Sequence, residues 1–164
     1  MNIVIVGFMG AGKSTIGRKL ALRLGYRFYD TDNLIADEQA MSITELFKTK
    51  GESFFRELET QTLKMLKNKN NTVIATGGGI LSTRGNLELM KSIGRVVFLN
   101  VDLEILFERV SRNKKRPLLQ TENPRQRVTE LLEKRLPQYQ MADIVIMTGS
   151  LTKNQVVSKI IQAL

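Results

Sequence analysis

Hydrophobic positions in this chain follow two spacings that alternate along its length. Short β-branched runs give way to longer stretches in which apolar residues recur every three or four positions. Residues 2–6 (NIVIV) are the first such run, with the look of a strand buried on both faces, as parallel strands are. The spacing then predicts a helix from about Lys13 to Leu24, closed by Gly25, and a short strand at 27–30 (RFYD). Ser42 with Glu45 makes a capping box that opens a helix near Ile43. After Gly51 a long amphipathic helix runs to about Lys67, with Phe54, Leu58, Leu63 and Leu66 on its buried side. Three more strands are expected at 72–76 (TVIAT), 95–100 (RVVFLN) and 143–147 (DIVIM). Asp102 is placed to cap the helix after the fourth strand, Asn123 with Pro124 and Gln126 opens another, and Thr152 with Gln155 caps the last. Residues 113–123 carry charge, Pro117 and no periodicity, and read as a loop.

Strands separated by helices imply an α/β chain with a five-stranded parallel sheet and helices on both faces. Ligands of such sheets bind beyond the carboxyl ends of the strands. That rule draws together the loops after residues 6, 30, 76 and 147.

Bulk properties narrow the chemistry. A length of 164 residues suits one domain, and no apolar run approaches the ~18 residues a membrane helix needs. The first strand begins within two residues of Met1, leaving no room for a signal peptide, so a cytoplasmic location is expected. The chain has neither cysteine nor histidine. Disulfides, thiolate zinc sites and Ser-His-Asp chemistry are thereby excluded, and acid–base work falls to carboxylates or lysines. A bound metal would need oxygen ligands, which points to magnesium. The net charge of +9 fits loose nucleic-acid affinity, plain solubility, or arginines converging on a small anion.

Against that background the stretch GFMGAGKST carries the strongest signal. Gly7, Gly10, Gly12, Lys13 and Ser14 satisfy G-x-x-x-x-G-K-[ST] between a strand and a helix. Backbone N–H groups of such a loop wrap phosphate, the lysine reaches the β- and γ-phosphates, and the Ser14 hydroxyl ligates magnesium. Asp30 and Asp32 close the second strand, where alternation would turn both carboxylates to one side. There they could hold metal and accept a proton, or simply cap a helix starting at about Asn33. Arg56 and Glu59 share a helix face, as a surface pair or as part of a site. Gly77, Gly78 and Gly79 let a ligand approach backbone amides, or form a flexible loop. Arg112, Lys114, Lys115 and Arg116 are a basic cluster, read as a solvated face, a nucleic-acid patch, or a loop closing over phosphate. No aromatic interleaving supports a nucleic-acid groove. Arg135 has no local signature of its own.

Taken in order, GFMGAGKST, DTD, FRELE, GGG and RPLL resemble the shikimate kinase family over essentially the whole chain. The resemblance implies a three-layer P-loop kinase fold in a single domain, residues 1–164, with substrate-binding helices at about 31–61 and a mobile lid at about 112–124. It implies transfer of phosphate from MgATP to the 3-hydroxyl of shikimate by a monomer acting on small molecules, with neither nucleic acid nor membrane as partner. It further implies ATP contacts from Gly10, Ala11, Gly12, Lys13, Ser14, Thr15, Arg109 and Arg116, with Arg109 along the adenine. Ser14 and Asp30 would hold Mg2+. Asp32, Arg56, Gly77, Gly78, Gly79 and Arg135 would bind shikimate, the two arginines clamping its carboxylate. Lys13, Asp32 and Arg116 would serve catalysis. Lys153 stands where the family often has a proline against the adenine. A gluconate kinase is the nearest rival, and the DTD, GGG and RPLL set argues against it. A GTPase is disfavoured because the chain holds no D-x-x-G and no N-K-x-D.

Overall fold

A computed structural model describes residues 1–113 and 120–164. The basic cluster's Lys114, Lys115 and Arg116 and the RPLL motif therefore lie outside the described residues.

Five strands form one parallel sheet: β1 (Asn2–Val6), β2 (Arg27–Asp30), β3 (Thr72–Ala75), β4 (Arg95–Asn100) and β5 (Ile144–Met147), in the order β2-β3-β1-β4-β5. β1 is central, with Val4 opposite Ile74 on one side and Val96 on the other. Ile3, Val4, Ile5 and Val6 are all fully buried. Successive side chains point to opposite faces of a sheet, so helices must cover both. The helices are α1 (Lys13–Leu24), α2 (Thr31–Gln39), α3 (Ile43–Leu66), α4 (Asn86–Ile93), α5 (Leu103–Ser111), α6 (Pro124–Tyr139) and α7 (Lys153–Ala163), with a 3-10 turn at Ile80–Ser82. The main core gathers the strand residues with Leu20, Leu63, Met90, Leu106, Val128, Tyr139 and Ile160. A second, smaller core of Ile35, Leu46, Phe55 and Leu58 holds α2 against α3.

The capping expectations hold at Ser42, Asn123 and Thr152, each of which accepts from the backbone N–H three residues on. Asp102 does not follow them: it occupies the cap position of α5, but its side chain makes no cap bond. α2 begins at Thr31 rather than near Asn33, so Asp32 belongs to the first helical turn and not to the strand. On α3 the buried aromatic is Phe55, while Phe54 is half-buried beneath the Lys50 ammonium, 4.8 Å from its ring centre. Phe55 joins Ile35, Leu46 and Leu58 in the second core, its ring centre 4.8 Å from that of Phe47. Gly51, ahead of this stretch, has a φ of 83° and breaks the helical path inside α3. The segment from Ile80 to Ile93, which the apolar spacing leaves unassigned, holds the 3-10 turn and α4. Its length of only 8 residues in α4 is too short for a clear helical period.

Gly94 closes α4 where the chain turns into β4, and a Cβ there would overlap the carbonyl of Asn2. Backbone cannot yield as a flexible side-chain tip can. Gly94→Ala is therefore expected to cost about 2–3 kcal/mol by overpacking. Thermal unfolding should read this as a midpoint lowered by roughly 4–12 °C.

Candidate active site

The loop between β1 and α1 is shaped by residues in conformations that side chains avoid. Gly10 and Gly12 have φ of 81° and 89°, and Gly12 leads directly into the N-terminus of α1. The Lys13 side chain folds back over the loop, donating to the carbonyls of Gly7 (2.7 Å) and Phe8 (3.0 Å). Its ammonium is thus held buried at the positive end of a helix, beside backbone amides that face a cavity. Ser14 follows, and its hydroxyl donates to Asp30 Oδ2 at 2.5 Å. Asp30 Oδ1 accepts from the amides of Asp32 (3.1 Å) and Asn33 (3.4 Å), opening α2. The helix-cap reading of Asp30 is met, and its other oxygen is bonded to the residue after Lys13 in the phosphate loop.

A cation site at Ser14 and Asp30 would be all-oxygen, as magnesium requires. Among the described residues no cluster of three or more Asp, Glu, His or Cys could hold a metal outright. One hydroxyl and one carboxylate beside a phosphate loop nonetheless fit magnesium, which keeps several waters and takes its other oxygens from substrate phosphates.

Three cavities meet around this loop. One of 330 Å³ is lined by Lys13, Ser14, Thr15, Asp30, Asp32 and Thr76. A second, of 380 Å³, shares Gly10, Gly12 and Thr15 with it and continues to Ala11, Arg109, Thr148, Leu151 and Lys153. The third, of 540 Å³, shares Asp32, Gly77 and Gly78 with the first and opens onto Arg56, Glu59, Gly79 and Arg135. Every described residue proposed from sequence for the site lies on one of these walls. Arg109 also donates to the carbonyl of Gly10 at 3.2 Å. The structure makes no statement on Arg116.

The triple glycine does more than expose amides. A Cβ on Gly77 would come within 2.7 Å of Asp32 Oδ1 and 2.8 Å of Glu59 Oε1. One on Gly78 would press on the backbone nitrogen of Met9 at 3.2 Å, with Arg135 Nη1 at 3.7 Å, and one on Gly79 would overlap the Arg56 guanidinium. Each missing side chain makes room for the charged groups of the site itself. The hydroxyl of Tyr139 donates to the carbonyl of Gly78, and its ring stacks on Phe98 with centroids 5.0 Å apart, which ties α6 to this floor. Arg135 lies on the same helix, over the ring of Phe8 at 5.9 Å.

Burial dominates the electrostatics. Asp32 is pushed above the usual carboxylate range by burial and by the charge of Asp30, with Lys13 and Arg56 pulling the other way. Glu59 is fully buried. It is raised to about 7 by that burial, although Arg56 Nη1 donates to its Oε2 at 2.7 Å. Arg56 also donates to Glu52 at 3.1 Å. Burial lowers the guanidinium's proton affinity, but these two partners more than offset it. Asp32 Oδ1, Glu59 Oε1 and Arg56 Nε are buried with no hydrogen-bond partner. Unsatisfied buried groups of this kind cost stability and are kept where a ligand completes them. Glu59 and Tyr139 are not among the residues proposed from sequence. The i, i+3 spacing of Arg56 and Glu59 was the available signal for the first, and nothing local marks the second.

A phosphate loop, a serine–aspartate pair hydrogen-bonded beside it and an adjoining charged cavity at the carboxyl ends of a parallel sheet define a phosphoryl-transfer protein of the P-loop kinase class. Relatives narrow the class. The shikimate kinase family matches residues 9–164. Shikimate kinase of Thermodesulfovibrio yellowstonii is 43% identical over 161 residues, covering 98% of this chain and 93% of its own. Among solved structures, shikimate kinase from Acinetobacter baumannii in complex with shikimate superposes with a TM-score of 0.93 at 41% identity, over 98% of this chain and 90% of that one. The enzyme from Aquifex aeolicus gives 0.88 at 39%, over 99% and 95%. The chain belongs to the shikimate kinase family. A gluconokinase from Sinorhizobium meliloti, at 18% identity and a TM-score of 0.57, shares the fold alone.

Glu59 gives a test of this electrostatic arrangement. An acid raised in the folded state takes up its proton there more readily than in the unfolded chain. Its contribution to stability is complete below the ordinary value of 4.5 and declines as pH rises to about 7. Unfolding midpoints of the wild type should therefore fall relative to Glu59→Gln between pH 5 and 8. A constant difference across that window would assign Glu59 no such shift.

Proposed function

We propose that the chain transfers the γ-phosphoryl group of ATP to the 3-hydroxyl of shikimate. The observation that carries this reading is the shared wall at Asp32. The same carboxylate borders the phosphate-loop cavity and the cavity that holds Arg56 and Arg135. A nucleotide with its phosphates on the loop and a hydroxy acid in the third cavity would meet there. Relatives 39–43% identical carry the shikimate kinase name, and one was solved with shikimate bound.

In this reading Arg56 and Arg135 hold the acceptor's carboxylate in bidentate or paired geometry. The Gly78 and Gly79 amides approach it from below, with no side chain between. Asp32, raised by burial, accepts the hydroxyl proton or orients the attacking oxygen. Lys13 and the loop amides bind the β- and γ-phosphates and neutralise charge in transfer. The second cavity takes the nucleoside, with Arg109 and Lys153 at its walls. Bound magnesium, held by Ser14 and Asp30, supplies charge neutralisation on the phosphates. Arg116, outside the described residues, is proposed to meet the transferring phosphate.

Coupled ADP release with shikimate, gluconate and AMP offered separately tests the assignment. Turnover with shikimate is expected, and turnover only with gluconate or AMP would overturn it. Lys13→Ala should lower kcat by roughly 10²–10³-fold or more. Arg56→Ala should raise the Kd for shikimate by about 10- to 100-fold, the value of a lost charge-assisted contact. An unchanged Kd would remove Arg56 from the carboxylate site.

A further inference from the structure

α6 presents one stripe to the third cavity: Arg127, Leu131, Lys134, Arg135 and Gln138. These positions recur at three- and four-residue steps, so they lie along a single helix face. The carboxylate of the acceptor accounts for Arg135. It leaves Arg127 and Lys134 without a function.

Neither residue has an acidic partner among the described residues. Glu130 stands four residues ahead of Lys134, in the order that favours a helical ion pair. It instead accepts from Gln126 Nε2 at 2.9 Å, and Lys134 lines the cavity. On the opposite wall Arg56 is already neutralised by Glu52 and Glu59. Arg127, Lys134 and Arg135 thus gather three positive charges on the α6 side of the cavity, while its acids, Asp32, Glu52 and Glu59, lie on the other walls. Arg127 and Lys134 are seven residues apart, about 10 Å along the axis, with Leu131 between them. An oxyanion resting over Leu131 is within reach of both side chains.

We infer that Arg127 and Lys134 form a second oxyanion subsite at the cavity wall, beside the one proposed for the acceptor's carboxylate. Its ligand is the second carboxylate or phosphate of a small dianionic ring acid, which occupies the acceptor cavity and competes with the substrate. Lysine and arginine side chains that face solvent on both sides hold such groups weakly. Arg127 and Lys134 are exposed yet border the cavity, so selectivity comes from two cations meeting one oxyanion.

The inference rests on the reading of this cavity as the acceptor site, and the experiment separates the two. Binding of isophthalate and benzoate to the whole protein is measured by calorimetry at constant ionic strength, with competition against shikimate read in the kinase assay. Isophthalate should bind about tenfold more tightly than benzoate, as one added charge-assisted contact permits. In the double variant Arg127→Gln with Lys134→Gln that ratio should fall to within about twofold. Arg127→Lys with Lys134→Arg should keep it. Both exchanges sit on an exposed helix face, so folding is not at stake. Equal binding of the two acids by the wild type, or a ratio that survives the glutamine pair, overturns the subsite. Equal loss for both acids in the glutamine pair also overturns it, since it signals general charge attraction. Failure of shikimate turnover with the isophthalate preference intact would overturn only the acceptor assignment.

Discussion

The site depends on a packing constraint: three consecutive residues without side chains must underlie four charged ones, Glu59 fully buried and the others half-buried. Asp32 and Glu59 converge above Gly77, Arg135 approaches Gly78, and Arg56 lies where a side chain on Gly79 would be. Two carboxylates this close repel and two guanidiniums beside them attract, so the cluster is stable only as a set. Burial raises the cost of any member left unpaired. Asp32 Oδ1 and Glu59 Oε1 are left without a hydrogen-bond partner within the set. An acceptor with a hydroxyl to donate and a carboxylate to accept would complete it on both counts.

The scaffold divides the work between strands and helices. The apolar residues of the central strands are buried, and these strands carry no chemistry until they end. Lys13, Asp32 and Arg56 are supplied by α1, α2 and α3, and Arg135 by α6. The smaller core that joins α2 to α3 is separate from the main one, so the acceptor side rests on its own hydrophobic support. The donor side rests on the sheet.

Legibility in the sequence followed how local each cause was. The phosphate loop, the five strands and three caps depend on a few neighbouring residues, and each stands where the pattern places it. Asp32 was expected from strand alternation, yet a turn of α2 presents it. The side faced correctly for a reason the pattern did not contain. Phe55 replaces Phe54 in the core because Ile35 and Leu46, brought up by other segments, meet its side of the helix. Glu59 reads as a surface residue in any window of neighbours. Its burial comes from Asp32, Gly77 and Arg135, which are distant in sequence. The role of the triple glycine was legible only in part. Closeness to a ligand could be foreseen, whereas closeness to the protein's own charges required the fold.

Asp30 joins two helices through two oxygens, one bonded to Ser14 on α1 and the other to the first turn of α2. A single carboxylate thus has obligations on either side of the cleft. Asparagine can still meet both, its amide donating to the Ser14 hydroxyl, but it removes the charge, and glutamate keeps the charge but adds a methylene that displaces one of the bonds. Exchanging Asp30 therefore disturbs the start of α2 and the contact to α1 together, so the two helices share one point of failure.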